Sequence, residues 1–218
     1  MSSDLEQLQL EEGYSISTRN TISYIVSSLS ILGGIFILVV YLLLKELRSK
    51  TLYKLVFNLT VSSMVATLAG IYVPEDVETN KHASSYCQLA GFFHEYGSLS
   101  TLCWSAAFAI KIYGLVVNAE SLEDTVKLKN VYLGCFVLPF TFCLALQTAA
   151  YWTKTQLFGF NGTYCWLIDD LNEVQYILQT VGFFLPSIIV SIGTGILYFR
   201  IRNTLIKLGL EVKWPFHF

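Results

Sequence analysis

Five apolar runs, each long enough to cross a bilayer as a helix, occupy most of this sequence. A hydrocarbon core about 30 Å thick takes roughly 20 helical residues, and runs of that length extend over about 22–44, 52–73, 87–117, 131–152 and 174–199. Polar or turn-forming segments close them: Lys45-Glu46-Leu47-Arg48-Ser49-Lys50 after the first, Pro74-Glu75-Asp76 after the second and Arg200-Ile201-Arg202 after the fifth. With 54% of its 218 residues hydrophobic and only 14% charged, the chain has too little polar sequence to wrap a soluble core of this size. The expected fold is all-α, a transmembrane helical bundle. A net charge of −2 provides no basic footprint, so nucleic acid is excluded as a partner.

The flanking charges predict an orientation. Lys45, Arg48, Lys50, Lys54, Lys111, Lys127, Lys129, Arg200, Arg202, Lys207 and Lys213, eleven of the fourteen basic residues, fall on one side of the membrane. The other side has Arg19, Lys81 and Lys154 and ten of the sixteen acidic residues. Because short cytoplasmic loops collect Lys and Arg, the N-terminus is expected outside and the C-terminus in the cytoplasm, with an integral, multi-pass location in the plasma membrane. Residues 1–20 form an extracellular N-terminal tail, 21–200 the five-helix transmembrane domain and 201–218 a cytoplasmic tail. The tail lacks the basic and apolar regions of a cleavable signal peptide, so the first span serves as the insertion signal. Asn161-Gly162-Thr163, a glycosylation acceptor, falls in an outer loop on this reading. Asn58-Leu59-Thr60 has the same pattern but lies within the second span, where modification is not expected.

Small residues recur every fourth position in two spans: Ser62, Ala66 and Gly70 in the second, Ser187, Ser191 and Gly195 in the fifth. Such stripes let helix backbones approach closely in lipid, although small residues are also common in spans generally. Pro139 and Pro186 are expected to kink the fourth and fifth helices.

Cys103, Cys135 and Cys143 lie inside spans and behave as small apolar groups. Cys87 opens the third span on the outer side and Cys165 sits in the outer loop after the fourth, where an oxidising exterior lets them bridge; two free thiols are the alternative. The third span, about 31 residues or 46 Å long, also contains His94, Glu95 and Lys111. An ionised Glu95 facing lipid is costly, so it is expected to face the bundle interior or a water-filled cavity. One reading makes it a ligand contact at the floor of an outward-opening pocket, with His94 and Ser98; the other makes it a structural, protonated or hydrogen-bonded Glu. Lys111 is expected to snorkel toward the cytoplasmic interface.

Several of these residues together carry a resemblance. Arg48-Ser49-Lys50 leads into the second span, Cys87-Gln88-Leu89-Ala90-Gly91-Phe92-Phe93 opens the third, Leu102-Cys103-Trp104 lies in its middle, and Tyr164-Cys165-Trp166-Leu167-Ile168 follows the fourth. Over about residues 20–205 the chain resembles the cyclic-AMP-receptor-like G-protein-coupled receptors, which stand near the secretin-like class. The resemblance implies five spans of a seven-helix receptor architecture, a Cys87–Cys165 disulfide, Trp104 as a mid-bundle packing residue, an extracellular small-molecule or peptide ligand, and a heterotrimeric G protein as partner. Residues 200–218 are too short and too charged for two more spans, so a partner chain supplying receptor helices is a further expected partner, besides membrane lipid. Outward movement of helix six, by which such receptors are thought to switch, is not expected from this chain alone. A structural membrane subunit or small channel is the alternative. No enzyme is expected: no His-Glu-x-x-His motif occurs, His82, His94 and His217 are far apart in the chain, and no cofactor or metal is implied.

Overall fold

The computed structural model describes residues 2–71, 85–117, 128–154, 157–160, 164–167 and 173–208. Among them, five helices are long and apolar enough to cross a membrane: Thr21–Leu43, Thr51–Ile71, Ser85–Val117, Lys129–Trp152 and Tyr176–Lys207, called spans 1 to 5 below. They match the apolar runs to within a few residues at most ends, the fifth reaching further, and the protein is an all-α membrane bundle. Span 1 belongs to a longer helix, Ser2–Leu43, that continues into the polar N-terminal stretch. A single-turn helix, Lys45–Ser49, joins spans 1 and 2. Span 4 ends at Thr153 and Lys154, the latter in the left-handed conformation (φ 54°) that commonly terminates helices. Between spans 4 and 5 lies a two-stranded antiparallel hairpin, β1 (Phe158–Phe160) and β2 (Cys165–Leu167), which the hydropathy pattern does not reveal.

Span 3 is the axis of the bundle, contacting spans 2, 4 and 5 and both strands. Its approach to span 2 requires a missing side chain: a Cβ on Gly97 would lie 2.6 Å from the Ala66 backbone nitrogen. The span 2 stripe therefore packs, with Ser62 and Ala66 buried and Gly70 close to the His94 ring. The corresponding stripe on span 5 does so only in part, Ser187 being half-buried. Ser191 and Gly195 are exposed, and a Cβ on Gly195 would meet nothing within 4 Å. Spans 1 and 5 bury little of themselves and expose large apolar side chains such as Leu29, Phe36, Ile189 and Ile192, as lipid-facing surfaces do.

Both prolines follow π-helical turns, Leu133–Val137 before Pro139 and Thr180–Phe184 before Pro186, a usual way for a helix to absorb such an interruption. Pro139 has no N–H to offer the Cys135 carbonyl four residues earlier. Ser100 on span 3 supplies a donor, its Oγ lying 2.8 Å from that oxygen. Ser100 has one hydroxyl proton, so its 2.9 Å contact with Ser62 is made by Ser62 donating. A directed chain of hydrogen bonds thus crosses from span 2 through span 3 to span 4. Trp104, one turn further along, is fully buried and packs edge-on against Tyr132 and Phe136, with centroids 5.2 and 5.1 Å away. The Asn58 amide is also buried and spent, donating to the Lys54 carbonyl at 2.6 Å and the Tyr132 hydroxyl at 2.9 Å. Lys111, near the end of span 3, is buried against the protein.

Replacing Ser100 by Ala takes the side-chain donor from the Cys135 carbonyl, whereas Ser62→Ala removes only the outer link. Thermal unfolding in detergent is expected to show a loss of about 1 kcal/mol for Ser100→Ala and a smaller one for Ser62→Ala.

Candidate ligand-binding site

Three residues of span 3 at helical spacing, Cys87, Gly91 and Glu95, form a seat for the hairpin. Cys87 is disulfide-bonded to Cys165 on β2. At Gly91 the β1 residue Phe158 takes the space a side chain would need, since a Cβ there would lie 2.7 Å from the Phe158 Cβ. At Glu95 the Trp166 indole N–H donates to Oε2 at 2.8 Å. Residues at i, i+4 and i+8 share one helix face, so a single face meets the hairpin three times. Glu95 is completely buried, and its Oε1 has no partner among the described residues. Leu157, Phe158 and Leu167 carry the hairpin's apolar side into a cluster with Leu146 and Ala150 of span 4.

A neighbouring face of span 3 borders a cavity of about 510 Å³, within the range of small-molecule sites. His94, Ser98 and Thr101 line it at i, i+4 and i+7, and Ser63, Thr67 and Gly70 do so from span 2 with the same spacing. Span 1 adds Ser23 and Ser27, span 5 adds Phe183 and Ser187, and Tyr164 comes from the hairpin. The His94 ring is fixed by a 2.8 Å hydrogen bond from Nδ1 to the Ala66 carbonyl, which requires the proton on that nitrogen. The ring also lies against Tyr164 and Trp166, with centroids 5.1 and 6.0 Å away. Trp166 in turn meets Phe183 edge-on at 5.1 Å. The hairpin thus holds Glu95 through the Trp166 N–H and packs against His94 through the indole ring.

Of the residues the sequence singles out, Cys87 and Cys165 are joined, and His94 and Ser98 line the cavity together. Glu95 does not line it. One residue on from His94, it is rotated by about 100° around the helix, which directs its carboxyl to the hairpin. Asn161 lies outside the described residues, as do Asp169, Asp170 and the tail from 209 onward. Sequence reasoning missed Thr67, Thr101, Tyr164 and Ser187. A signal for the first two was present, a polar stripe at helical spacing within an apolar span.

Trp166→Phe removes the only donor to the Glu95 carboxyl among the described residues and is expected to destabilise the protein by about 1–3 kcal/mol. Adding Glu95→Leu to that variant removes the stranded acid and is expected to restore much of the loss, because replacing both partners by apolar groups can be nearly neutral. Melting temperatures of the two single variants and the double variant measure the coupling.

Sequence comparisons relate the chain to known proteins. A sequence profile described as the slime mold cyclic AMP receptor matches residues 11–209. The chain is 24% identical over 187 residues to the ascaroside receptor GPR2 of Arthrobotrys oligospora, covering 84% of this chain and 43% of that protein. To cyclic AMP receptor 4 of Dictyostelium discoideum it is 24% identical over 197 residues, covering 87% and 42%. To G-protein coupled receptor 1 of Arabidopsis thaliana it is 25% identical over 184 residues, covering 82% and 50%. The chain therefore spans half or less of the length of these relatives.

Proposed function

The chain belongs to the slime mold cyclic AMP receptor family, and from that premise we propose that it is the ligand-binding part of a G-protein-coupled receptor, with the cavity beneath the hairpin as its ligand site. The observation that carries this reading is the coincidence of two faces of one helix. Cys87, Gly91 and Glu95 hold the hairpin, while His94, Ser98 and Thr101 line a cavity that also takes Tyr164 from that hairpin. Such an arrangement gives a pocket with one wall fixed to a tethered loop, which pre-organises it for a ligand.

The proposed orientation puts the hairpin and the N-terminus outside the plasma membrane and the basic ends of spans 1 and 5 in the cytoplasm, following the Lys and Arg distribution. His94 and Ser98 are the proposed ligand contacts. Glu95 has a positioning role, fixing the hairpin through Trp166. Further receptor helices from a longer or a second chain complete the bundle, and a heterotrimeric G protein is the cytoplasmic partner. The relative named cyclic AMP receptor 4 raises the question of a cyclic nucleotide here. Among the described residues no Lys or Arg lines the cavity, and phosphate recognition relies on such groups, so a cyclic nucleotide would need its cation from the helices that complete the bundle.

Co-expression with full-length cyclic AMP receptor 4, with an epitope tag at the N-terminus of this chain, tests the reading. Surface staining of intact cells, co-purification of the two proteins and an altered G-protein response of the relative are the expected results. A tag reached only after permeabilisation counts against the orientation, and no association or effect on the response counts against the receptor role.

A further inference from the structure

The hydrogen-bonding state of the cavity wall specifies more about the ligand than its size does. A serine or threonine hydroxyl has one proton and two lone pairs. For Thr67, Ser98 and Thr101 that proton is already spent. Ser98 donates to the His94 carbonyl at 2.8 Å, Thr101 to the Gly97 carbonyl at 2.7 Å and Thr67 to the Ser63 carbonyl at 2.9 Å. What these side chains can offer the cavity is lone pairs. His94 behaves in the same way, since Nδ1–H is committed to the Ala66 carbonyl and the other nitrogen of the neutral ring is an acceptor. Thr67 on span 2 and His94, Ser98 and Thr101 on span 3 therefore present hydrogen-bond acceptors to the cavity.

Charge narrows the choice further. Among the described residues no Lys, Arg, Asp or Glu lines the cavity, and Glu95, the nearest acid in sequence, is turned to Trp166. At the wall this chain supplies, an anion would meet the lone pairs of Thr67, His94, Ser98 and Thr101 and no cation, and an ammonium would meet no counter-charge. Both are costly in a membrane interior. An uncharged molecule with several O–H donors meets neither difficulty. Its apolar faces would find Tyr164, Phe183 and Leu102, and Ser187, whose buried hydroxyl oxygen has no partner among the described residues, supplies an adaptable contact across the cavity.

We infer that the cavity takes a neutral, polyhydroxylated ligand, recognised as a hydrogen-bond donor by the acceptor wall of Thr67, His94, Ser98 and Thr101. This rests on the proposal that the cavity is the ligand site and specifies the chemistry it selects.

The test uses the full chain in nanodiscs and three probes with one alkyl tail and different heads: hexyl β-glucoside, hexyl phosphate and hexylammonium. Empty nanodiscs supply the partition background. The glucoside is expected to bind at least about tenfold more tightly than either charged probe, and Ser98→Ala or Thr101→Val to weaken it about fivefold. Ser98→Thr and Thr101→Ser, which keep the hydroxyl, are expected to bind the glucoside more tightly than Ser98→Ala and Thr101→Val do. These changes leave the helix carbonyls their backbone N–H partners, and the Cys87–Cys165 peptide in non-reduced digests confirms that each variant has folded. Equal or tighter binding of hexyl phosphate or hexylammonium overturns the inferred ligand class and leaves the cavity as a binding site. A glucoside signal unchanged in Ser98→Ala and Thr101→Val overturns the acceptor wall. Binding of none of the probes above background overturns both the inference and the cavity as the ligand site.

Discussion

The contact between spans 2 and 3 at Gly97 sets the geometry on which the remaining features depend. With only a hydrogen on Gly97, the Ala66 backbone fits against it, and a Cβ would be 2.6 Å from that backbone nitrogen. The consequences lie on either side along the helices. Toward the hairpin, the Ala66 carbonyl comes within 2.8 Å of His94 and fixes its ring. Away from it, Ser62 and Ser100 come within 2.9 Å. A wider separation of the two helices would undo both, and with them the cavity wall that the spans share. In lipid, where apolar side chains gain little by leaving the solvent, close backbone packing of this kind is a main source of helix association.

Proline 139 illustrates how a local defect can serve tertiary structure. A helix that cannot pair one of its carbonyls must find a donor elsewhere when no water is available. Span 4 finds it in Ser100, and the π-helical turn beside the proline accommodates the mismatch. The same span 3 segment that Gly97 holds against span 2 is thereby hydrogen-bonded to span 4, so the three helices are linked through one pair of serines.

The sequence made the spans legible because hydrophobic length is a physical requirement of the bilayer, and Cys87 and Cys165 legible because compartment favours their pairing. The span 2 stripe was readable for the same reason that it packs. The span 5 stripe had the same spacing, yet Ser191 and Gly195 are exposed, since spacing shows which residues share a face but not what that face meets. Glu95 shows the limit most clearly. Its depth in the membrane demanded a partner, and the indole N–H that meets the demand comes from Trp166, 71 residues later. No helical period connects those two positions. The hairpin escaped notice because its strands are three residues each, too short for alternation to register. Thr67 and Thr101 were within reach of the same periodicity that located the small-residue stripe.

Span 3 achieves its several roles by rotation. Cys87, Gly91 and Glu95 hold the hairpin, His94, Ser98 and Thr101 border the cavity, and Gly97, Ser100 and Trp104 pack into the other spans. A helix that is apolar overall can divide its few polar groups among faces in this way because consecutive residues point about 100° apart. His94 and Glu95 are adjacent in sequence and serve different faces, yet the Trp166 indole touches both, donating its N–H to one and packing its ring near the other. A displacement of the hairpin would therefore be felt at the cavity wall through His94 and in the bundle interior through Glu95. The Trp166 indole is thus the contact that the hairpin shares with both faces of span 3.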